Sequence, residues 1–245
     1  MPIASDADHA AVIFGASGGV GNALVRAVAA SGLFAQVHAG MRRQTDDLPA
    51  GVRSFAFDFM DERTVAGFAR SLDCPPTLII VATGMLHDRA AGIAPEKSVR
   101  TLAPDAMARA FAINSIGPAL VAKHMLPRLP KGQRAVFACL SARVGSIGDN
   151  HLGGWHSYRA SKAALNMLIR NFAIEMARTH PMAIIAALHP GTVDTALSEP
   201  FQGNVPPEKL FTPAQAAGQL LHVIDGLSAA DSGGLFAWDG QRLPW

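Results

Sequence analysis

A short apolar run, Ala11–Phe14, leads straight into Gly15-Ala16-Ser17-Gly18-Gly19-Val20-Gly21, and a helical pattern begins inside that turn. Glycine at four of seven positions between a strand and a helix leaves few alternatives. The chain must turn tightly, bring its backbone close to whatever sits there, and present the N–H groups of a helix start. Such an end favours a phosphate through its dipole and unpaired donors. The turn points to a dinucleotide pyrophosphate; the plainer alternative is a turn whose glycines serve packing alone. The spacing leaves two readings open. Gly15, Gly19 and Gly21 give Gly-x-x-x-Gly-x-Gly, whereas Gly15, Gly18 and Gly21 give Gly-x-x-Gly-x-x-Gly. The standard Gly-x-Gly-x-x-Gly is absent. The stretch also matches Gly-x-Ser-x-Gly through Ser17, the nucleophile turn of α/β-hydrolases. Only fourteen residues precede it, too few for the strands and oxyanion loop such an enzyme carries upstream.

The rest of the chain repeats the strand-then-helix alternation. Strands are predicted at Ala11–Phe14, Gln36–Gly40, Val52–Phe57, Leu78–Val81, Ala135–Leu140, Ala183–Leu188 and Gly234–Ala237. Helices are predicted at Val20–Ser31, Glu62–Leu72, Asp105–Leu126, Ser157–Thr179 and Pro213–Gly226. The strands are apolar without alternation, as strands covered on both faces are. This βαβ series predicts an α/β fold: one doubly wound, seven-stranded parallel sheet with helices on both faces, residues 1–245 forming a single domain. Irregular segments at 85–101, 143–156 and 193–211 follow strand C-terminal ends, where ligands bind in such sheets.

Composition narrows the function classes. Of 245 residues, 49% are hydrophobic and only 16% charged, so a large core is available. A net charge of +2 with no concentrated basic run argues against nucleic acid. No apolar stretch is long enough to span a bilayer. The N-terminus lacks a signal pattern, and Cys74 and Cys139 lie far apart without metal-ligand spacing, so a cytoplasmic protein without a metal is expected.

Tyr158 and Lys162 fall four residues apart on a predicted helix, hence on one face. A phenol ordinarily titrates near ~10; a neighbouring cation favours the phenolate and brings it within reach of neutral pH. A surface pair at this spacing by chance is the alternative. The second strand ends in Met41-Arg42-Arg43 with no carboxylate for a ribose 2′-hydroxyl. Two arginines there suit a 2′-phosphate, which favours NADP(H) over NAD(H); otherwise they are solvated loop residues. Asp58 either meets an adenine or caps the helix starting near Asp61.

These motifs, in this order, resemble the short-chain dehydrogenase/reductase family over nearly the whole chain. The pieces are the turn 15–21, Asp58, Asn114 in Phe111-Ala112-Ile113-Asn114, Ser141 in Cys139-Leu140-Ser141, the Tyr158/Lys162 pair and His189-Pro190-Gly191-Thr192. The run Tyr158-Arg159-Ala160-Ser161-Lys162-Ala163-Ala164-Leu165-Asn166 is similar to the C-factor-like branch, which has carbonyl-reductase-like and signalling-linked members. The resemblance implies a Rossmann fold and a catalytic tetrad. Tyr158 would be the general acid or base, and Lys162 would lower its pKa and hold the nicotinamide ribose. Ser141 would hydrogen-bond the substrate oxygen, and Asn114 would position a relay water. It further implies cofactor contacts at Gly15, Ser17, Gly18, Gly19, Val20 and Gly21, at Arg42 and Arg43, at Asp58 and Phe59, and at Asn114, Tyr158 and Lys162. Pro190, Gly191, Thr192 and Val193 would line the nicotinamide. Two departures stand out: Phe14 replaces the usual threonine, and Val81-Ala82-Thr83-Gly84 replaces Asn-Asn-Ala-Gly. Ala82, Thr83 and Gly84 remain cofactor-facing by position.

The expected activity is NADP(H)-dependent exchange of a small-molecule carbonyl and its alcohol. Met85, Val144, Trp155, Leu197, Phe201 and Phe211 would form an apolar wall; Arg143, His87, His151 and His156 are polar candidates. A non-catalytic cofactor-sensing or signalling protein and a nucleotide-sugar epimerase are the competing classes. Small residues on the helices 105–126 and 157–179, with the resemblance, suggest a homodimer or homotetramer; the same residues would also suit packing on the sheet.

Overall fold

A computed structural model describes residues 6–42 and 47–245. Strands β1 (Asp6–Phe14), β2 (Phe34–Met41), β3 (Val52–Ala56), β4 (Pro76–Val81), β5 (Ala135–Leu140) and β6 (Ala183–His189) pair in parallel, as does β9 (Leu235–Ala237). β10 (Arg242–Leu243) adds an antiparallel edge, giving eight strands in the order β10-β9-β6-β5-β4-β1-β2-β3. The expected count of seven is therefore one short. Two residues beyond a tight turn are too few to register as a periodic pattern. At the two ends of the segment 193–211, β7 (Thr192–Val193) and β8 (Leu210–Phe211) form a separate two-stranded sheet.

The unbroken apolar runs are explained by cover on both faces. Val12, Phe14, Ile79, Val81, Phe137 and Ile185 point to one side, beneath α2 (Glu62–Ser71), α4 (Gly117–Met125) and α5 (His156–Met176). Their neighbours Ala11, Ile13, Leu78, Ile80, Val136 and Ile184 point to the other, beneath α1 (Gly19–Ser31) and α6 (Pro213–Gly226). Phe14, in the usual threonine's place, is fully buried among the edges of Phe55, Phe57 and Phe68 at 5.2–6.0 Å. Burying one such ring contributes about 2–3 kcal/mol.

Helix ends follow local chemistry. Thr212 and Gln215 form a reciprocal capping box at α6. Gly32, in the left-handed region at φ 63, closes α1. The predicted helix 105–126 is interrupted: α3 (Pro104–Phe111) passes through a π turn, Ala112–Ile116, before α4. Pro118 lies four residues after Asn114 and has no N–H for its carbonyl. Instead Gly117 N donates to Ala112 O, the wider i+5 closure.

Candidate active site

The order of strands reverses between β1 and its two neighbours, β2 and β4. At such a switch point the loops leaving the strand C-termini part and open a crevice. The glycine turn leaves β1 there. Gly15 has φ 91, and a Cβ on Gly21 would lie 2.1 Å from Gly15 O, so the turn closes only with glycine at both positions. Gly18 is the N-cap of α1 and carries no side-chain cap. Ser17, Gly18 and Gly19 are exposed, so the first-turn backbone faces outward for an anion.

A cleft of about 690 Å³ opens at this edge. Gly18, Gly19 and Val20 line it on one side, and Ala82, Thr83 and Gly84, leaving β4, on another. Ser141, Tyr158 and Lys162 line it too, as do Pro190, Gly191, Thr192 and Val193. Gly15 and Gly21 frame the turn, and Ser17, though exposed, does not line the cleft. Asn114 is fully buried, just beyond the cleft wall. Arg42 is exposed after β2; Arg43 lies outside the described residues. Asp58 accepts from Met60 N at 2.9 Å and is not the helix cap; Asp61 takes that place through Arg63 N. Phe59 sits beside Gly117, where any Cβ would come within 2.1 Å of its ring.

Tyr158 lies in the first turn of α5 and Lys162 one turn later, both buried. Lys162 Nζ is 6.0 Å from the phenol ring centroid and donates to Leu140 O at 2.7 Å. A Cβ placed on Gly84 would lie 3.7 Å from Lys162 Nζ and 3.8 Å from Asn114 Oδ1, so the three converge. The lowered phenol pKa expected from the spacing is corrected here. Burial pushes Tyr158 up to about 12 and Lys162 down to about 8. Both shifts come from desolvation, which disfavours either charged form. At the end of β5, Ser141 Oγ donates to Asn166 Oδ1 at 2.7 Å. Asn114 Oδ1 accepts from Met85 N at 2.7 Å, while its Nδ2 donates to Met85 O and Ser161 Oγ.

Around Tyr158 the wall is apolar: Leu86 and Ala142, then Val144, Trp155, Leu197 and Phe201. Met85 is buried with its backbone held by Asn114, and Phe211 stacks edge-on with Trp238 at 4.7 Å; neither lines the cleft. Of the polar candidates, Arg143 is paired to Asp149 at 2.6 Å and His87 meets Ala196 O at 3.0 Å. His151 lines the cleft, and His156 is the first residue of α5.

A family model described as short chain dehydrogenase matches residues 9–205. The chain belongs to that family. This short-chain dehydrogenase is 39% identical over 140 residues to C-signal of Myxococcus xanthus, covering 57% of this chain and 78% of the relative. It is 37% identical over 155 residues to the 1-hydroxy-2-glutathionyl-2-methyl-3-butene dehydrogenase of a Rhodococcus species, covering 63% and 66%. Two further curated relatives are matched over little more than half their length. The NADPH-bound carbonyl reductase from chicken fatty liver shares the fold at a TM-score of 0.82 and 24% identity, over 97% of this chain and 94% of that one. Carbonyl reductase Sniffer of D. melanogaster superposes at 0.83 with 20% identity, over 97% and 99%.

Two residues of this short-chain dehydrogenase escaped the sequence reading. Asn166 lies four residues after Lys162 and eight after Tyr158, a spacing that carries it along the same face. Glu96 belongs to the irregular segment 85–101 and had no local signal at all. Among the described residues, no helix is long and apolar enough to cross a membrane.

Proposed function

We propose that the protein is an NADP(H)-dependent oxidoreductase that interconverts a small carbonyl compound and its alcohol, with Tyr158 as general acid and base. The observation that carries this reading is that Tyr158, Lys162 and Ser141 share one cleft with the glycine turn at the strand-order switch. The residues fit a dinucleotide. Thr83 Oγ1 is buried there with no hydrogen-bond partner among the described residues, and the exposed Gly18 and Gly19 line the same cleft.

Gly18, Gly19, Tyr158 and Lys162 would hold a nicotinamide dinucleotide, and the chemistry it would supply there is hydride exchange with the carbonyl carbon. Tyr158 gives its proton to the carbonyl oxygen in reduction and receives it in oxidation. The Lys162 ammonium stabilises the phenolate left behind. Ser141 has its single hydroxyl hydrogen on Asn166, so it offers lone pairs to the cleft and orients a neighbouring O–H. Donation to a substrate oxygen requires it to release Asn166. Asn114 braces the turn beside Lys162, and its carbonyl, denied an N–H by Pro118, suits a relay water. Arg42 and Arg43, with no carboxylate at that strand end, favour the 2′-phosphate of NADP(H). The Rhodococcus relative is a dehydrogenase and the chicken fold neighbour is NADPH-bound, in keeping with this reading.

An activity screen with NADPH and NADH across aldehydes, ketones and quinones tests the proposal, with Tyr158→Phe alongside. The expected result is NADPH oxidation that Tyr158→Phe abolishes while NADPH still binds. Undiminished turnover in that variant would overturn the assignment. The likeness to C-signal supports a second reading, a signalling protein on the same scaffold. Tight cofactor binding and a protein partner, with no turnover on the panel, would favour it. We also propose self-association through the outer faces of the helices 105–126 (α3, the π turn and α4) and 157–179 (α5). Ser115 Oγ donates to Ser161 O at 2.6 Å, so some small residues serve packing within the chain. Ile116, Met167 and Ile174 are about half exposed or more. Sedimentation as monomer only, at micromolar concentration, would refute association.

A further inference from the structure

α5 begins in an unusual way. Its N-cap residue, Trp155, has φ 50 and ψ 43, the one non-glycine positive φ among the described residues, and no side-chain oxygen to cap the helix. A bulky L residue is unfavourable in that region and persists only where its surroundings hold it. Three residues later comes Tyr158.

What holds this turn is Glu96, from the loop after β4. Its main-chain carbonyl accepts from Trp155 N at 2.5 Å. Its carboxylate accepts from Ser157 N at 3.1 Å and from Ser157 Oγ in a short bond. One residue thus provides three acceptors to the first turn of the helix, doing the work of the cap that Trp155 lacks. A negative charge is also favourable at a helix start. Glu96 is 7% exposed. Burial alone would raise its pKa, but the hydrogen bonds from Ser157 hold the carboxyl below its ordinary value, so the charge is kept. The same loop is fixed at its other end, where Asn114 bonds both Met85 N and Met85 O.

We infer that Glu96 is a positioning residue for Tyr158: it locks the left-handed entry at Trp155 and so fixes the phenol's place against Lys162 and Ser141. This rests on Tyr158 being the general acid and base. Removing the carboxylate leaves the main-chain bond to Trp155 N but frees Ser157 N and Oγ, so the first turn of α5 can shift about the strained entry and carry the phenol with it.

The test uses a feature of the sequence: Tyr158 is the only tyrosine, so protein labelled with carbon-13 at the tyrosine ring gives one resonance that reports this group alone. In Glu96→Ala that resonance should move or broaden, and kcat should fall by about tenfold or more, since misplacing a catalytic group by about 1 Å costs on the order of a hundredfold. NADPH affinity should stay unchanged. Glu96→Gln, whose amide oxygen still accepts from Ser157 N, should recover most of kcat and the wild-type resonance. If Glu96→Ala does not fold, Glu96→Asp, one methylene short, is read in the same way. An unmoved resonance with wild-type kcat would overturn the inference. So would equal impairment of the Ala and Gln variants in step with lost thermal stability, which marks a purely structural strap. Tyr158→Phe separates the two levels: full activity there removes the general-acid reading itself, whatever Glu96 does.

Discussion

Ser141 Oγ donates to Asn166 Oδ1 at 2.7 Å, and the orientation of that amide is fixed from its other end, where Nδ2 donates to Gly145 O at 3.3 Å. Only the amide nitrogen can serve a carbonyl, so the oxygen must face Ser141. The serine hydrogen is therefore committed, and the hydroxyl presents its lone pairs to the cleft.

Asn166→Leu removes that commitment and leaves Gly145 O and Ser141 Oγ without their partner. A buried polar group so orphaned costs about 1–3 kcal/mol. Stability in urea should fall by about that amount, and kcat should fall by more than cofactor affinity does. Steady-state kinetics beside a binding titration check this; unchanged kcat would show that the orientation of Ser141 is immaterial.

Because Tyr158 is the single tyrosine, its ionisation can be followed by the ultraviolet phenolate band. In the native protein the band should emerge near pH 12, whereas in the unfolded chain it should emerge near the ordinary value of 10.0. Saturating NADP⁺ brings a second positive charge beside the phenol and should move the native transition down. A transition at the ordinary value in the native protein would contradict the burial of Tyr158.

Lys162 gives a stability signature with the opposite sign from an ion-paired lysine. Its folded pKa is lowered to about 8 from 10.5, so at low pH folding must bury a charge. As the pH rises past about 8 the folded state sheds that proton while the unfolded chain retains it. Stability from this group should therefore rise up to about pH 10. Lys162→Met should flatten that rise in denaturant titrations repeated at several pH values.

Two glycines should behave oppositely. A Cβ at position 21 would meet Gly15 O at 2.1 Å, whereas one at Gly67, inside α2, meets nothing within 4 Å. Gly67→Ala should stabilise by up to about 1 kcal/mol through helix propensity. Gly21→Ala should destabilise by about 1–3 kcal/mol from overpacking and abolish dinucleotide binding. Thermal melts with and without NADPH distinguish the pair.

Arg42→Asp places a carboxylate where a 2′-phosphate is proposed to sit. Loss of a charged hydrogen bond of about 1.5–3 kcal/mol corresponds to about a tenfold to hundredfold fall in NADPH preference over NADH. An unchanged preference would show that Arg42 does not set it.

The amino-acid sequence by itself determined the alternation of strands and helices, the glycine turn and the Tyr158/Lys162 spacing. These are local properties: propensity, periodicity and steric permission act over a few residues. All seven parallel strands of the large sheet were legible for that reason, and β7, β8 and β10, each two residues long, were not. Tertiary structure alone decided the electrostatics. Spacing suggested that Lys162 would acidify Tyr158, yet burial raises the phenol and lowers the lysine, and burial depends on residues distant in sequence. It also decided the partners of the site. Asn166 reaches Ser141 from 25 residues away and Glu96 reaches Ser157 from 61, and no local pattern encodes contacts that exist only once the sheet has brought its strand ends together.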